Sequence, residues 1–158
     1  MRRPLVEEFV ELGATVQHLD TLHAALDRFW AAIALVPPGE GNGTDPARVG
    51  ATTRHQVSIA VAEVGANIAD HGHPTGAAAG TMRLRLRLYR NRIEVIFTDR
   101  GLAYVEQPRD ATAVADDPLD LPERGRGMVL ARIALDELHY RRTASGTNHW
   151  RLVKRLPG

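Results

Sequence analysis

Three polar residues spaced four apart stand in the stretch AEVGANIADHG, from Ala62 to Gly72. On a helix this spacing aligns Glu63, Asn67 and His71 along one stripe, with apolar residues close beside it. A half-buried carboxylate, carboxamide and imidazole are costly unless something satisfies them. A carboxylate can act as a general base and a carboxamide oxygen can bind Mg²⁺. The stripe therefore indicates a site that binds a ligand or performs proton transfer.

A second motif, TDRG, covers Thr98 to Gly101 at the end of a predicted buried strand. A carboxylate placed there, Asp99, is an acceptor suited to the exocyclic amine of adenine. Gly101 would leave room for the ring. We expect this turn to hold the base of a nucleotide.

A third motif, ERGRGM at Glu123 to Met128, comes directly before a predicted helix. Gly125 and Gly127 would let backbone amides approach an anion, and the helix N-terminus adds unpaired N–H groups and a positive dipole end. Arg126 could add charge-assisted hydrogen bonds to the same phosphates. The motif is typical of a phosphate-binding loop.

Each motif also has a purely structural explanation. Glu63 and Asn67 could be a satisfied polar pair, the glycines could simply cap and turn the chain, and we favour a structural role near the helix end for His71. That explanation accounts for the motifs singly but not for their order along the chain.

The elements that must position these residues follow from hydrophobic periodicity. We expect an edge strand near Val6 to Thr15, amphipathic helices at Leu19 to Ala34 and Thr53 to His71, and an antiparallel hairpin built from MRLRLRLYR and IEVIFTD. A third helix is expected to begin directly after the glycine pair, with an apolar face of Val129, Leu130, Ile133, Ala134 and Leu138. LHYRRT and NHWRLVKRL form a closing hairpin. This order predicts an α+β sandwich with the helices on one sheet face.

Composition narrows the function further. The 158 residues fit one domain, the net charge is +1, and the chain has no cysteine, which excludes disulfides and thiol chemistry. The arginines that alternate through MRLRLRLYR are interpreted as a solvated sheet face, with Glu94 opposite one arginine, rather than a nucleic-acid surface. The N-terminus lacks the apolar core of a secretory signal and the longest apolar run is too short to cross a bilayer, so a cytoplasmic protein is expected.

Taken together, the three motifs resemble those of the GHKL ATPase superfamily, and within it the anti-sigma factor serine/threonine kinases of bacterial partner-switching systems. AEVGANIADHG is similar to the N box of that family, TDRG to its D-x-G box, and PLDLPERGRGMVLARIALDELHY to the lid end and glycine box with the helix and strand after it. SGTNHWRLVKRL is similar to the last hairpin of the family, in which a threonine, here Thr147, supports the adenine pocket.

The resemblance implies a Bergerat-type fold, with a mixed, mainly antiparallel sheet and ATP held between helix, strand end and a lid over about residues 102–124. It implies Mg-ATP-dependent phosphorylation of a serine or threonine on an anti-sigma factor antagonist, sequestration of a sigma factor, and a homodimer, with no direct contact to nucleic acid or membrane. The implied roles are catalytic base for Glu63, Mg²⁺ ligand for Asn67, adenine contacts for Asp99 and Gly101, and phosphate loop for Gly125, Arg126 and Gly127.

Two other functions remain open. The chain could be an ATP-binding regulator that sequesters a partner without phosphoryl transfer, although such a binder has no need of a base at Glu63. It could also be a detached catalytic domain of a sensor histidine kinase. This second alternative is disfavoured because one N-terminal helix leaves no room for a phosphoacceptor helical hairpin.

Overall fold

The computed structural model describes residues 3–38, 49–73, 80–106 and 123–157, with side chains in the last range from residue 126 onwards. Five strands in these ranges form one sheet in the order β1-β2-β3-β5-β4, and all four pairings are antiparallel. The strands are β1 (Val6–Gly13), β2 (Thr81–Tyr89), β3 (Arg92–Asp99), β4 (Glu137–Arg142) and β5 (Asn148–Arg155). The helices are α1 (Leu19–Ala34), α2 (Ala51–Asn67) and α3 (Glu123–Ala134). The predicted α+β class is confirmed.

One face of the sheet carries the hydrophobic core. Period-two alternation turns one set of side chains from β2, β3 and β5 toward the helices, and these residues are almost fully buried. They are Met82, Leu84, Leu86, Leu88, Ile93, Val95, Phe97, Trp150 and Leu152. Asp99 follows Phe97 on the same face, which is why a carboxylate ends up inside the protein at the end of β3.

Helix α2 lies between the other two helices. Gly65 packs so closely on α1 that a Cβ at this position would collide with Leu22 Cδ1. On the α3 side, a Cβ at Gly127 would collide with the carboxylate of Glu63. Small residues at both contacts allow the three helices to pack as one layer over the sheet.

The opposite face of the sheet is a network of ion pairs. Arg87 contacts Glu7 of β1 at 3.2 Å and lies opposite Glu94 in the β2–β3 register. Glu94 also accepts a hydrogen bond from Arg151 at 3.0 Å. The interpretation of the arginine row as a charged sheet face, with Glu94 opposite one arginine, agrees with these contacts.

Glu137 on β4 continues this network. Its carboxylate accepts hydrogen bonds from Arg151 Nη1 at 3.0 Å and Arg155 Nη2 at 2.9 Å. The Arg151 hydrogen bond is the main cause that holds the pKa of Glu137 below its ordinary value, while partial burial opposes the shift.

Helix α3 differs from the sequence expectation in both ends and face. It begins at Glu123, so Gly125 and Gly127 lie inside its first turns rather than in a loop before it, and it ends at Ala134.

The buried face of α3 also differs from the prediction. Met128, Ala131 and Ala134 form its buried side, whereas Ile133 is 62% exposed. Leu138 belongs to β4. The predicted face was based on a single helix that continues through Leu138. The chain instead enters a strand at Glu137, and from there the apolar residues alternate with a period of two.

Two sequence expectations lie mainly outside the described ranges. The proline- and glycine-rich loop from Val36 to Pro46 is described only to residue 38, and the lid over about residues 102–124 only to residue 106 and again from residue 123. Within the ranges that are described, no helix is long and apolar enough to cross a membrane.

Candidate functional site

The centre of the candidate site is the buried carboxylate of Asp99, whose side chain is 1% exposed. Its Oδ1 accepts hydrogen bonds from the Gly101 backbone N–H at 2.7 Å and from Asn148 Nδ2 at 2.9 Å. Its Oδ2 is also buried, yet it has no hydrogen-bond partner among the described atoms. A buried carboxylate oxygen without a donor is costly, so Oδ2 is an acceptor held ready for a ligand that brings an N–H or O–H group.

The turn after Asp99 is fixed by close backbone contact. The Leu102 backbone N–H donates to the Gly72 carbonyl at 2.7 Å, and a Cβ at Gly101 would collide with that same carbonyl. Glycine is therefore required at position 101 by the fold itself. The reason expected from the sequence, space for a nucleobase ring, stays a prediction.

Glu63 and Asn67 lie one turn apart near the end of α2, and both are half-buried. The fully buried face of the helix is formed by neighbours such as Val57, Val61 and Val64. The two polar side chains therefore flank the core rather than enter it. This agrees with the expected half-buried stripe.

His71 does not belong to this stripe. After Asn67 the chain makes one π-helical turn, Ile68–Gly72, which widens the spacing and breaks the four-residue stacking. His71 is exposed, and the structure gives its side chain no hydrogen bond to another described residue. The expected structural role near the helix end is therefore not supported by a contact of the imidazole.

Glu63 lies directly against the first turns of α3. A Cβ added at Gly127 would stand 3.1 Å from Glu63 Cδ and would collide with Oε2. The carboxylate thus occupies the space that a side chain at position 127 would need. A negative group near the N-terminal end of a helix is favoured by the helix dipole.

The remaining predicted phosphate-binding residues lie on the same helix. Gly125 is in its first turn, and Arg126 is half-buried. Both residues thus lie on the helix that packs against α2 and contacts Glu63 at Gly127.

Asn148, which the motifs did not indicate, connects the site to the last hairpin. It lies opposite Asp99 in the β3–β5 register, is 2% exposed, and donates from Nδ2 to Asp99 Oδ1 and to the Leu102 carbonyl at 3.0 Å. Tyr140 O–H and Arg142 Nη1 both donate to its Oδ1 at 2.7 Å. Asn148 therefore orients the buried carboxylate and the turn after it.

Thr147, which was expected to support this pocket, lies in the β4–β5 turn directly before Asn148, where its backbone N–H donates to Thr143 Oγ1 at 3.0 Å. The contact with Asp99 itself is made by Asn148, and support of the pocket by Thr147 stays a prediction. The signal that could have identified Asn148 is the register: counting back along NHWRLVKR from buried Trp150 places Asn148 on the same face as Asp99.

An aromatic cluster extends the site toward the start of the predicted lid. Tyr104 and Tyr140 each lie 4.7 Å from the Trp150 ring, measured between ring centroids. The Tyr104 backbone N–H donates to the Tyr140 hydroxyl at 2.9 Å. A continuous chain of hydrogen bonds thus runs from Asp99 through Asn148 and Tyr140 to the backbone of Tyr104.

The described residues contain no group of three or more His, Cys, Asp or Glu side chains that could hold a metal ion by themselves. Asn67 supplies one neutral oxygen at the end of α2. Such a donor fits Mg²⁺ that takes its other ligands from phosphate and water rather than from a protein cage.

Comparisons with known proteins identify the family of the chain. A family model described as the histidine kinase-like ATPase domain matches residues 14–154. Serine-protein kinase RsbW of Halalkalibacterium halodurans is 36% identical over 86 residues, which cover 52% of this chain and 51% of that protein. The chain thus spans about half the length of this curated relative.

A solved structure of another protein shares the fold. The blue-light activated histidine kinase of Erythrobacter litoralis EL346 has a TM-score of 0.51 and 24% identity, covering 89% of this chain and 44% of that one. The histidine kinase domain of the same protein gives a TM-score of 0.49 and 21% identity, covering 85% and 61%. Since the family match extends from the segment after β1 into β5, and so takes in nearly the whole chain, the protein belongs to the histidine kinase-like ATPase domain family.

Proposed function

We propose that this protein binds Mg-ATP and transfers the γ-phosphoryl group to a serine or threonine of a protein partner. The observation that carries the nucleotide site is the buried Asp99, with one oxygen that accepts two hydrogen bonds and the other without a donor among the described atoms. The similarity to a protein named as a serine-protein kinase supports a hydroxyl, rather than a histidine, as the acceptor.

Each site residue receives one role in this proposal. Asp99 Oδ2 accepts a hydrogen bond from the exocyclic amine of adenine beside Gly101, and Thr147 lies at the hairpin end of the pocket. The backbone of Gly125 and Gly127, with Arg126, faces the phosphates at the start of α3. Asn67 holds Mg²⁺, which when bound neutralises charge on the phosphates.

Glu63 is the general base. Its carboxylate lies on the α2–α3 boundary against Gly127, and therefore beside the proposed phosphate site. It would take the proton from the partner's hydroxyl as that oxygen attacks the γ-phosphorus. The bond between the γ-phosphorus and the bridging oxygen then breaks, and ADP leaves with the electron pair on its β-phosphate. The segment at about residues 102–124 is proposed as the lid of this single domain.

The partners follow from the similarity to RsbW and from the resemblance of the motifs. We propose that the phosphoacceptor is an anti-sigma factor antagonist, that a sigma factor is sequestered, and that the protein acts as a cytoplasmic homodimer. The alternative is an ATP-binding module that sequesters a partner without phosphoryl transfer.

The test is incubation of the full chain with γ-labelled ATP, Mg²⁺ and each antagonist protein encoded by the same genome. Wild type should label one antagonist on serine or threonine. Glu63→Gln keeps the size of the side chain that packs on Gly127, so it should bind ATP as wild type does but transfer label at least about a hundredfold more slowly.

Equal rates of transfer by wild type and Glu63→Gln would show that Glu63 is not the general base. ATP binding without transfer to any antagonist would favour the sequestering module instead.

A further inference from the structure

His73 lies in a closely fitting niche beside Asp99. It is the first residue after the π-helical turn, and its side chain is 11% exposed. A Cβ at Gly101 would stand 2.9 Å from His73 Nε2, and a Cβ at Gly80 would collide with the imidazole ring. Two glycines therefore leave the space that this ring fills.

The imidazole points a polar atom at the buried carboxylate. His73 Nε2 lies 3.6 Å from Asp99 Oδ1, and Nε2 is buried without a hydrogen-bond partner among the described atoms. A buried ring nitrogen without a partner is costly, as is the free Asp99 Oδ2. The two atoms belong to one incomplete polar pocket.

The charged surroundings of His73 are simple in the described part of the chain. Asp99 on β3 is the carboxylate that it faces, and Arg142 from β4 donates to the Gly101 carbonyl at 2.8 Å. Asp70 and His71 of the π-helical turn are both exposed. Residues 74–79, which come after His73, contain no titratable side chain.

The two charge states of an imidazole act differently on such a carboxylate. A neutral ring that carries its proton on Nε2 points a further donor at Oδ1 from just outside hydrogen-bond distance, beside the Gly101 N–H and Asn148 Nδ2 that already bind it, which leaves Oδ2 as the acceptor for a ligand. A protonated ring forms an ion pair with Asp99. That pair weakens the carboxylate as an acceptor and competes with a ligand amine.

We propose that His73 is a positioning residue of the base site, acting through Asp99. In its neutral form it presents its N–H to Oδ1 and leaves Oδ2 for the nucleobase amine, and when protonated it lowers nucleotide affinity. This inference rests on the proposed nucleotide site and adds to it a residue that makes binding depend on pH.

The test measures the Kd of ADP by calorimetry at constant ionic strength from pH 8.0 to 5.5 with wild type, His73→Gln and His73→Leu. The amide of Gln can place a donor near the position of Nε2 but does not titrate, so it should bind like wild type at pH 8.0. His73→Leu should bind several-fold more weakly there. Between pH 8.0 and 5.5, wild type should lose about tenfold more affinity than His73→Gln, because the titration of ADP itself affects both proteins equally.

Parallel pH profiles for wild type and His73→Gln would overturn the inference, as would wild-type affinity in His73→Leu at pH 8.0. Circular dichroism shows whether each variant is folded, and if His73→Leu is not, the comparison with His73→Gln decides. Failure of wild type to bind ADP at any pH would contradict the proposed function instead.

Discussion

At the scale of single residues, the two oxygens of Asp99 have different surroundings. Oδ1 is held by donors from the following turn and from β5, while Oδ2 is buried with no donor among the described atoms. A free acceptor of this kind favours ligands that bring an N–H to it and penalises those that bring another acceptor. We therefore propose that this one atom gives the site its preference for an amine-bearing base.

The sequence identified some of these residues and could not identify others. Asp99 was predicted because its motif ends a strand with clear alternation. Asn148 and His73 were not, because their roles depend on the register between β3 and β5 and on the close approach of Gly72 to Gly101. Such contacts join distant parts of the chain and leave no periodic signal in the sequence.

At the scale of elements, the boundary between α2 and α3 places Glu63, the proposed general base, against the start of the proposed phosphate site. Gly127 was predicted as part of a phosphate loop, but the structure places it in helix α3, where the missing Cβ makes room for Glu63. Helix propensity alone would favour alanine at such a position by about 1 kcal/mol. The space that the carboxylate needs therefore explains a glycine at this position.

A double-mutant cycle tests this contact. Gly127→Ala should lower the melting temperature of wild type or leave it unchanged, because the new Cβ collides with Glu63. In a Glu63→Ala background the same change should raise it, since only the gain in helix propensity remains. The expected coupling is about 1 kcal/mol or more, measured by thermal unfolding of all four proteins. The same effect of Gly127→Ala in both backgrounds would contradict the contact.

At the scale of the whole molecule, the sheet separates two environments. Its helix face supplies the core and ends in Asp99, and its other face is a network of arginine and glutamate. The sequence predicted this division, because strict alternation in MRLRLRLYR allows little else. It could not predict which carboxylate each arginine contacts, since those pairs are set by strand order.

The charged face makes stability depend on pH through Glu137. Arg151 lowers the pKa of Glu137 below its ordinary value of 4.5, so the ionised form stabilises the folded state at and above that pH. This contribution is lost as the pH falls through the lowered pKa. The melting temperature of wild type should therefore exceed that of Glu137→Gln from pH 7 to about 5, and the difference should shrink below about pH 4.5.

The control is Asp27→Asn, which removes one negative charge from an exposed position on α1. A difference between wild type and Glu137→Gln that stays constant down to pH 3 would contradict this account.

The hydrogen-bond chain from Asp99 through Asn148 and Tyr140 to Tyr104 joins the proposed nucleobase site to the start of the proposed lid.

Both functions proposed for the molecule, phosphoryl transfer and partner sequestration, depend on a nucleotide bound at Asp99. The most direct measurement is calorimetric titration of Mg-ATP into wild type, Asp99→Asn and Glu94→Gln. The control removes a carboxylate on the same strand but on the opposite sheet face. We predict that wild type and Glu94→Gln bind alike and that Asp99→Asn binds about 10 to 100 times more weakly. Equal affinity in folded wild type and Asp99→Asn, or no binding by wild type, would contradict a nucleotide site at Asp99.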